Sequence, residues 1–320
     1  MAGHVTIVVA TRNRRDELLR TLGRHEAPVI VVDNGSTDGT QQAIGSLPNV
    51  ELVELGDNHG AHARTIGAQR AVTPYVAFAD DDSWWAPGAL ERATRIMQDH
   101  PRLAVLAAQV RVMPRDELDP LCRLMADSPV GRAPDLPGPS VLGFMACGSV
   151  VHRGAFLSVG GFDDIVRFPG EEERVALDLA AAGLGLAYVD HVVAYHHPSP
   201  SRHSAAARKA AVARSRLLTA LLRRPWPAVG RELVTTMRSG RAGRTGVVSA
   251  VPQIWPALRH RSVVPSSVES QLHLLATLPG LGFGYRTRTQ PVRRRTAGVS
   301  GRRALGIDES WTRSRCAARR

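Results

Sequence analysis

Short apolar runs alternate with helix-like segments through the first 80 residues, and this alternation constrains the fold more than any other feature. The runs that predict strands are Val5–Ala10, Val29–Asp33, Val50–Leu55 and Tyr75–Ala79. The segments between them that predict helices are Arg14–His25, Ser36–Ile44 and His62–Ala71. Strands that alternate with helices favour a mostly parallel, Rossmann-like sheet flanked by helices on both faces. We therefore expect an α/β fold.

The rest of the chain suggests two further regions. The elements that we expect there are a long loop at Pro114–Pro139 with a short helix around Leu121, strands at Cys147–His152 and Leu186–Val189, a helix at Glu171–Ala182, an Arg-rich amphipathic helix at Ser204–Arg224, and helices broken by prolines over Pro225–Leu275. These patterns predict an α/β domain at 1–200, a helical C-terminal extension at 201–285 and a basic, disordered tail at 286–320.

Polar clusters follow three of the predicted strands. They are Thr11-Arg12-Asn13, the segment from Asp33 to Thr40, and Asp80-Asp81-Asp82. The carboxyl ends of parallel strands meet at one edge of a sheet, where ligands bind in such folds. We therefore expect these clusters to converge. For Asp33 the alternative is a turn that caps the following helix.

The aspartate triplet is the strongest candidate for a metal site. Three adjacent carboxylates repel one another, and a bound cation offsets that cost. Oxygen ligands at a strand end suit Mg²⁺ or Mn²⁺, which keep positions open for substrate phosphates. The alternative is a solvated acidic turn that caps the helix near Pro87.

Three other segments carry candidate site residues. Arg64 lies one turn into a helix that opens at a glycine, a surface that suits a diphosphate, although an ordinary capped helix explains it equally well. Glu171, Glu172 and Glu173 begin a helix, where they either complement its dipole or supply a general base. His196-His197 ends a strand and could include a metal ligand or a phosphate contact, or be structural.

Composition and charge indicate which partners and which cellular location to expect. The net charge is +12, yet Lys209 is the only lysine among 41 basic residues, and from Pro291 onward nine arginines face two acids. We expect a solvated tail and no nucleic-acid partner. The helix at Ser204–Arg224 could rest on a lipid surface.

No apolar run approaches the length of a membrane span, and the basic residues follow the first apolar run, unlike those of a secretory signal. We expect a cytoplasmic protein, with peripheral contact at the inner face of the membrane as the alternative.

Taken in order, six segments resemble the family 2 inverting glycosyltransferases of the GT-A fold. They are VTIVVATRNR, VVDNGSTDGT, NHGAHARTIGAQRA, VAFADDDSWW, GGFDD and GEEERVALDLAAAG, which span residues 5 to about 197. The resemblance implies a nucleoside-diphosphate sugar donor, with UDP the expected nucleotide and dTDP or GDP the alternatives. It also implies Mn²⁺ or Mg²⁺ and a hydroxyl acceptor, such as a glycan or a lipid-linked sugar.

The resemblance implies roles for individual residues as well. Thr11, Arg12, Asp33, Arg64, Asp80 and Asp81 would bind the nucleotide sugar. Asp80 and Asp82 match the outer positions of the family's Asp-x-Asp motif, and His196 matches a metal ligand of some members. Glu172 matches the Asp of the catalytic Glu-Asp pair, with Glu171 beside it.

This chain departs from the family pattern at two places, and two other functions compete with transfer. Thr65 stands where many members have Asn, and Glu-Glu replaces Glu-Asp, which leaves the choice between Glu171 and Glu172 open.

One competing function is a non-catalytic nucleotide-sugar-binding scaffold. The other is a sugar-phosphate nucleotidyltransferase, which would need a glycine-rich loop after the first strand, where Val9–Asn13 has no glycine.

Overall fold

A computed structural model of the protein describes residues 3–45, 47–199 and 204–276. The tail predicted at 286–320 lies outside the described residues, as do the two ends of the extension predicted at 201–285. Within the described part, strands and helices alternate up to residue 196, and helices alone follow.

Nine strands form one sheet among the described residues. They are β1 Val5–Thr11, β2 Val29–Asn34, β3 Val50–Leu55, β4 Tyr75–Asp80, β5 Ser83–Trp85, β6 Leu103–Val112, β7 Glu117–Leu118, β8 Ser149–His152 and β9 Gly185–His196. Their order across the sheet is β3-β2-β1-β4-β8-β6-β9-β5, and β7 pairs with β6 outside this path.

Eleven α-helices lie in the same described residues. They are α1 Arg15–Leu22, α2 Thr40–Ile44, α3 His62–Arg70, α4 Ala89–Asp99, α5 Pro120–Ala126, α6 Arg153–Ser158, α7 Glu171–Ala181, α8 Ala205–Arg223, α9 Trp226–Arg238, α10 Arg241–Arg259 and α11 Ser266–Ala276. A 3₁₀ turn at Ala146–Gly148 leads into β8.

The first four strands pair in parallel, as their apolar runs predict. β1 lies between β2 and β4, and β2 pairs with β3. Side chains of β1, β2 and β4 are buried almost throughout, which is typical of parallel strands covered on both faces. Beyond β4 the sheet is mixed, because β8 is antiparallel to both β4 and β6. The α/β architecture expected from the sequence is confirmed.

β9 extends much further than its predicted core of Leu186–Val189. It runs through the exposed residues Asp190 and His191 to His196. Its pairing with β6 shifts register between Ala108 and Gln109, which accommodates those two polar residues as an irregularity. Because a polar pair interrupts the apolar run, the sequence pattern ends the strand too early.

The helical region also differs in one respect from its prediction. Prolines at 252 and 256 were expected to break helices, but α10 continues through both. Each proline lacks the N–H that would bond to the carbonyl four residues earlier. Pro252 and Val248 are exposed, so water can satisfy the carbonyl that Pro252 leaves free. No helix of the described chain combines the length and the apolar character that crossing a membrane requires.

Helix α3 packs closely on the sheet at Gly67. A β-carbon added there would collide with Val8 of β1 and lie 3.0 Å from a methyl group of Val32 of β2. Glycine at this position lets the backbone of α3 approach the strands whose ends carry the polar clusters. The close approach fixes the neighbouring Arg64 relative to the sheet.

We expect Gly67→Ala to lower the free energy of unfolding by about 1–3 kcal/mol, because the added methyl overpacks a rigid interface. Gly230→Ala is the matched control, since Gly230 is also inside a helix and has no atom within 4 Å of the added carbon. The control should gain about 0.5–1 kcal/mol from reduced backbone entropy. Urea denaturation measures both, and a Gly67→Ala protein as stable as the wild type would contradict this packing argument.

Candidate active site

The polar strand ends meet at one edge of the sheet, as predicted. The Thr11 hydroxyl at the end of β1 donates to an Asp81 carboxylate oxygen at 3.1 Å. Asn13 and Ser36 connect the first two strand ends, because the Asn13 backbone N–H donates to the Ser36 hydroxyl at 2.9 Å. The Thr21 hydroxyl donates to the Asp81 carbonyl at 3.0 Å and holds the aspartate turn from the side of α1.

Asp80, Asp82 and His196 form a candidate metal centre. Each offers one ligand atom, and these atoms all lie within 4.8 Å of one another. Antiparallel pairing of β5 with the end of β9 brings the histidine there, in register with Ser83. The His196 Nε2 atom lies 3.2 Å from Asp82 Oδ1. The site therefore combines two carboxylates from the aspartate triplet with an imidazole from a strand more than 110 residues later.

The backbone after β9 fixes the orientation of Asp82. The Ser199 N–H donates to Asp82 Oδ2 at 3.1 Å, and the His197 N–H donates to the Asp82 carbonyl at 2.8 Å. Because one oxygen is engaged by the backbone, the other is directed toward His196. Such supporting hydrogen bonds orient metal ligands in known sites.

Arg64 joins the aspartate triplet to the glutamates of α7. Its side chain is buried, with Nη2 at 2.5 Å from Asp80 Oδ1 and Nη1 at 3.6 Å from Glu171 Oε1. The two acidic clusters that the sequence separates by about ninety residues therefore lie on either side of one guanidinium. Both face the same site.

Helix α7 begins at this site because of Gly170. The residue before the helix has a φ of 107°, a conformation that glycine adopts without steric cost. Glu171 is 1% exposed, and no hydrogen-bond partner for its two carboxylate oxygens lies within the described residues. Glu172 is less deeply placed and accepts a hydrogen bond from the Ala146 N–H at 3.4 Å.

Burial dominates the protonation behaviour of the acidic side chains at this site. It raises the pKa of Glu171, and the nearby Glu172 carboxylate raises it further while Arg64 opposes the shift. Burial also raises the pKa of Glu172. The pKa of Asp81 rises to about 7 because of burial first and the neighbouring Asp80 and Asp82 charges second. Protons are thus held near neutral pH at a site crowded with carboxyl groups.

The family profile described as Glycosyl transferase family 2 matches residues 6–159, which include the aspartate triplet and Arg64. The chain is a glycosyltransferase, and residues 6–159 are the part that matches family 2. Two curated relatives are N-acetylglucosaminyl-diphospho-decaprenol L-rhamnosyltransferases of Mycobacterium tuberculosis, strains CDC 1551 / Oshkosh and ATCC 25618 / H37Rv. Each is 29% identical over 222 residues, covering 57% of this chain and 72% of the relative.

Solved structures of other glycosyltransferases share the fold. The mannosyltransferase PcManGT from Pyrobaculum calidifontis, solved with GDP-Man and Mn²⁺, has a TM-score of 0.54 and 21% identity and covers 85% of each chain. GalNAc-T7, solved with UDP, GalNAc and Mn²⁺, has a TM-score of 0.57 and 15% identity over 85% of this chain and 56% of its own. S. aureus TarS 1-349 with UDP-GlcNAc has a TM-score of 0.51 and 16% identity over 84% and 83%.

Two other residues assigned to nucleotide binding from the sequence, Arg12 and Asp33, are not part of the ion pairs that Arg64 forms at the candidate site. Asp33 is fully buried, and its carboxylate accepts hydrogen bonds from Ser36 and from Gln41 Nε2 at 2.7 Å. Arg12 is exposed, and it forms no ion pair within the described residues.

Sequence reasoning missed the side chains that hold the Gly160–Asp163 turn beside the site. The Thr65 hydroxyl accepts from the Phe162 N–H at 2.7 Å and donates to the Phe162 carbonyl at 2.9 Å. Arg174 donates to the Val159 carbonyl at 2.9 Å and to the Gly161 carbonyl, and it lies 3.2 Å from the Asp163 carboxylate. The sequence shows that Thr65 replaces the family's Asn. It does not show that Thr65 bonds to Phe162, because that turn lies nearly one hundred residues later in the chain.

Glu173 lies apart from the other two glutamates. It lines a separate cavity of about 340 Å³ between α7, α8, α9 and α11, together with Arg216, Arg224 and Glu232. Burial raises the pKa of Glu173 to about 7, although Arg216 and Arg224 oppose the shift. Only the first two residues of the Glu-Glu-Glu segment therefore face the candidate active site.

Glu173→Gln should change the pH dependence of stability. A folded pKa above the unfolded value means that the carboxyl stabilises the fold most at low pH and that this contribution is lost as pH rises through about 7. From pH 5 to pH 8, the unfolding free energy of the variant should improve relative to the wild type by about 1–3 kcal/mol. Denaturation curves at both pH values measure this. Glu54→Gln, at an exposed position, should show no such trend, and an equal trend in both variants would refute the burial argument.

Proposed function

We propose that this glycosyltransferase moves a sugar from a nucleoside-diphosphate sugar to an acceptor hydroxyl, with metal assistance and with inversion at the anomeric carbon. The observation that carries the proposal is the pairing of Arg64 with both Asp80 and Glu171. Through it, a cluster suited to a cation and a pair of glutamates suited to proton removal lie at one site, as a single displacement requires.

The donor set supports a divalent cation. Asp80, Asp82 and His196 would hold Mn²⁺ or Mg²⁺, and the imidazole ligand favours Mn²⁺ because Mg²⁺ prefers oxygen ligands. When bound, the ion would offset negative charge on the diphosphate leaving group. Two of the structural neighbours, the mannosyltransferase and GalNAc-T7, were solved with Mn²⁺.

Glu172 is our proposed general base. Glu171 is fully buried and close to Arg64, which suits it to orient that guanidinium rather than to meet an acceptor. Glu172 is nearer to the surface, and burial raises its pKa toward the range where a base works efficiently. In the proposed step, Glu172 takes the proton of the acceptor hydroxyl as that oxygen bonds to the anomeric carbon. The bond from this carbon to the phosphate oxygen breaks on the opposite face, and both electrons leave with the nucleoside diphosphate.

The nucleotide sugar would lie along the strand ends. We assign its binding to Thr11, Arg12, Asp33, Arg64, Asp80 and Asp81, where the polar clusters meet. Asp33 is buried, so its contribution would come through the turn that it holds with Ser36. Exposed Arg12 is free to turn toward a phosphate or a base. UDP remains the expected nucleotide, in keeping with the TarS neighbour solved with UDP-GlcNAc.

A lipid-linked sugar is the proposed acceptor class. The curated relatives are named for rhamnosyl transfer to N-acetylglucosaminyl-diphospho-decaprenol, an acceptor with a polyisoprenoid anchor. Acceptor contacts would come from the loop at residues 114–139 and from the turn at residues 161–169, which leads into the helix that carries the glutamates. Release of nucleoside diphosphate from a panel of sugar nucleotides tests the proposed transfer reaction. A scaffold would bind the donor without release, and a nucleotidyltransferase would release pyrophosphate from a triphosphate.

Glu172→Gln should lower kcat by about 10²–10⁴-fold, because the variant cannot accept the acceptor proton. Glu173→Gln is the matched control, since it makes the same change one residue along α7 but faces the separate cavity. The control should keep near-normal turnover. Nucleoside-diphosphate release at saturating donor measures both, and normal kcat in Glu172→Gln would remove this residue from the mechanism.

Asp82→Asn and His196→Ala should each weaken Mn²⁺ binding by at least about tenfold, because the first removes the negative charge of one ligand and the second removes a ligand atom. Isothermal titration with Mn²⁺ measures the affinity directly, and the Mn²⁺ dependence of turnover after chelation gives a second readout. His197→Ala is the control, because this adjacent histidine is exposed and contributes its backbone rather than its ring. Unchanged Mn²⁺ affinity in His196→Ala would exclude it as a ligand.

A further inference from the structure

Exposed apolar side chains are concentrated on α9 and α10. Of the thirteen large apolar side chains that the described residues leave exposed, seven lie on these two helices. They are Trp226, Leu233, Val234, Met237, Val248, Val251 and Trp255. Trp255 is 68% exposed and Val248 is 70% exposed; single exposed apolar side chains are common, but clustered ones mark interaction surfaces.

These side chains form rows along the two helices. On α10, Val248, Val251 and Trp255 recur at intervals of three and four residues, so they lie on one face. Arg244 and Arg259 extend the same row by four residues at either end. On α9, Trp226, Leu233 and Met237 form a comparable row. We call these two rows together the α9–α10 face.

The charge around the α9–α10 face is positive. Residues 204–276 contain eleven arginines and one lysine but only two acids, Glu232 and Glu269. Glu232 forms an ion pair with Arg216 of α8 at 3.1 Å, and Glu269 forms one with Arg224, just after α8, at 2.8 Å. Both acidic side chains are therefore already paired with arginines inside the fold. In the described chain, Arg238, Arg241, Arg244 and Arg259 take part in no ion pair. Their charges remain available to an external partner.

The buried half of α8 is not available to a lipid surface. The sequence predicts a lipid contact for the whole helix at Ser204–Arg224, but its second half is buried from Leu217 to Leu222. α10 lies directly on α8, since a β-carbon at Gly246 would come within 2.6 Å of the Ala210 carbonyl. Ala250 and Ala257 of α10 are also buried. The apolar row at Val248, Val251 and Trp255 is therefore additional to the side chains that the fold needs for packing.

The prolines of α10 indicate shallow contact. Pro252 cannot bond to the carbonyl of Val248, and Pro256 cannot bond to that of Pro252. Free carbonyls are costly in hydrocarbon but are satisfied in the hydrated headgroup layer. Tryptophan and arginine both favour this layer, where the ring or the alkyl stem meets acyl chains and the polar end stays wet.

We propose that the α9–α10 face docks the protein on the surface of an anionic phospholipid bilayer. Phosphate headgroups match the unpaired arginines, and the acyl boundary covers the exposed apolar rows. A second copy of the chain fits less well, because a symmetric contact through this face would bring Arg241, Arg244 and Arg259 of both copies together. The inference stands on these helices alone and does not depend on the transfer reaction.

Co-sedimentation of the full chain with vesicles tests the proposal. We expect binding to phosphatidylcholine vesicles that contain 30% phosphatidylglycerol, weaker binding at high salt, and little binding to phosphatidylcholine alone. Arg241→Glu/Arg244→Glu should weaken the apparent affinity by about 25-fold or more, from about fivefold for each basic residue at the surface. Val251→Ser/Trp255→Ser should weaken it by about tenfold or more through lost apolar contact.

Matched variants on the α/β domain serve as controls. Arg92→Glu/Arg95→Glu makes the same charge change at two exposed positions of α4, and Val72→Ser removes a side chain that is 94% exposed. Both should bind vesicles like the wild type, and circular dichroism checks that all variants are folded. Failure of the wild type to bind anionic vesicles at low salt would overturn the proposal. So would wild-type binding by both α9–α10 variants, which would assign the contact elsewhere, or dimerisation that Val251→Ser/Trp255→Ser abolishes in size-exclusion chromatography.

Discussion

The ion triad of Asp80, Arg64 and Glu171 is the interaction on which the site depends. A buried guanidinium is stable only when carboxylates offset the loss of hydration, and here the two partners come from the end of β4 and the start of α7. Losing either partner leaves a buried charge uncompensated. The triad therefore fixes the distance between the aspartate triplet and the glutamates, and Gly67 one turn along α3 fixes the height of Arg64 above the sheet.

Negative charge at this site exceeds what its guanidinium groups can balance. Five carboxyl groups, at residues 80–82 and 171–172, lie in one region, and Arg64 is the buried cation that touches two of them. Burial is the main cause of the raised pKa values at Asp81, Glu171 and Glu172, and the charges of neighbouring carboxylates raise them further. A second cation near Asp82 would relieve the same repulsion. The repulsion among these carboxylates and the proposed binding of a metal ion thus have one physical origin.

The sequence was sufficient for the parallel half of the sheet and for the convergence of its polar ends, because both follow from apolar runs and from the geometry of parallel strands. It was insufficient wherever two distant segments must meet. The length of β9 was hidden by Asp190 and His191, and the different depths of Glu171 and Glu172 depend on Arg64 and on the Ala146 backbone. Periodicity reports which face of an element is buried, but it cannot report which of two adjacent polar side chains reaches an interior partner.

Helix α7 couples the site to the C-terminal helices. Glu172 lies in the first turn of α7. Asp178, one turn before the end of the same helix, accepts hydrogen bonds from Arg223 of α8, including one of 3.0 Å. The Ser215 hydroxyl of α8 also donates to the Arg167 carbonyl at 2.8 Å, within the turn that leads into Gly170. The extension therefore supports the helix start that positions the proposed base. Because α10 packs along α8, a surface docked through the α9–α10 face would hold Glu172 at a fixed height above the bilayer, as transfer to a membrane-anchored acceptor requires.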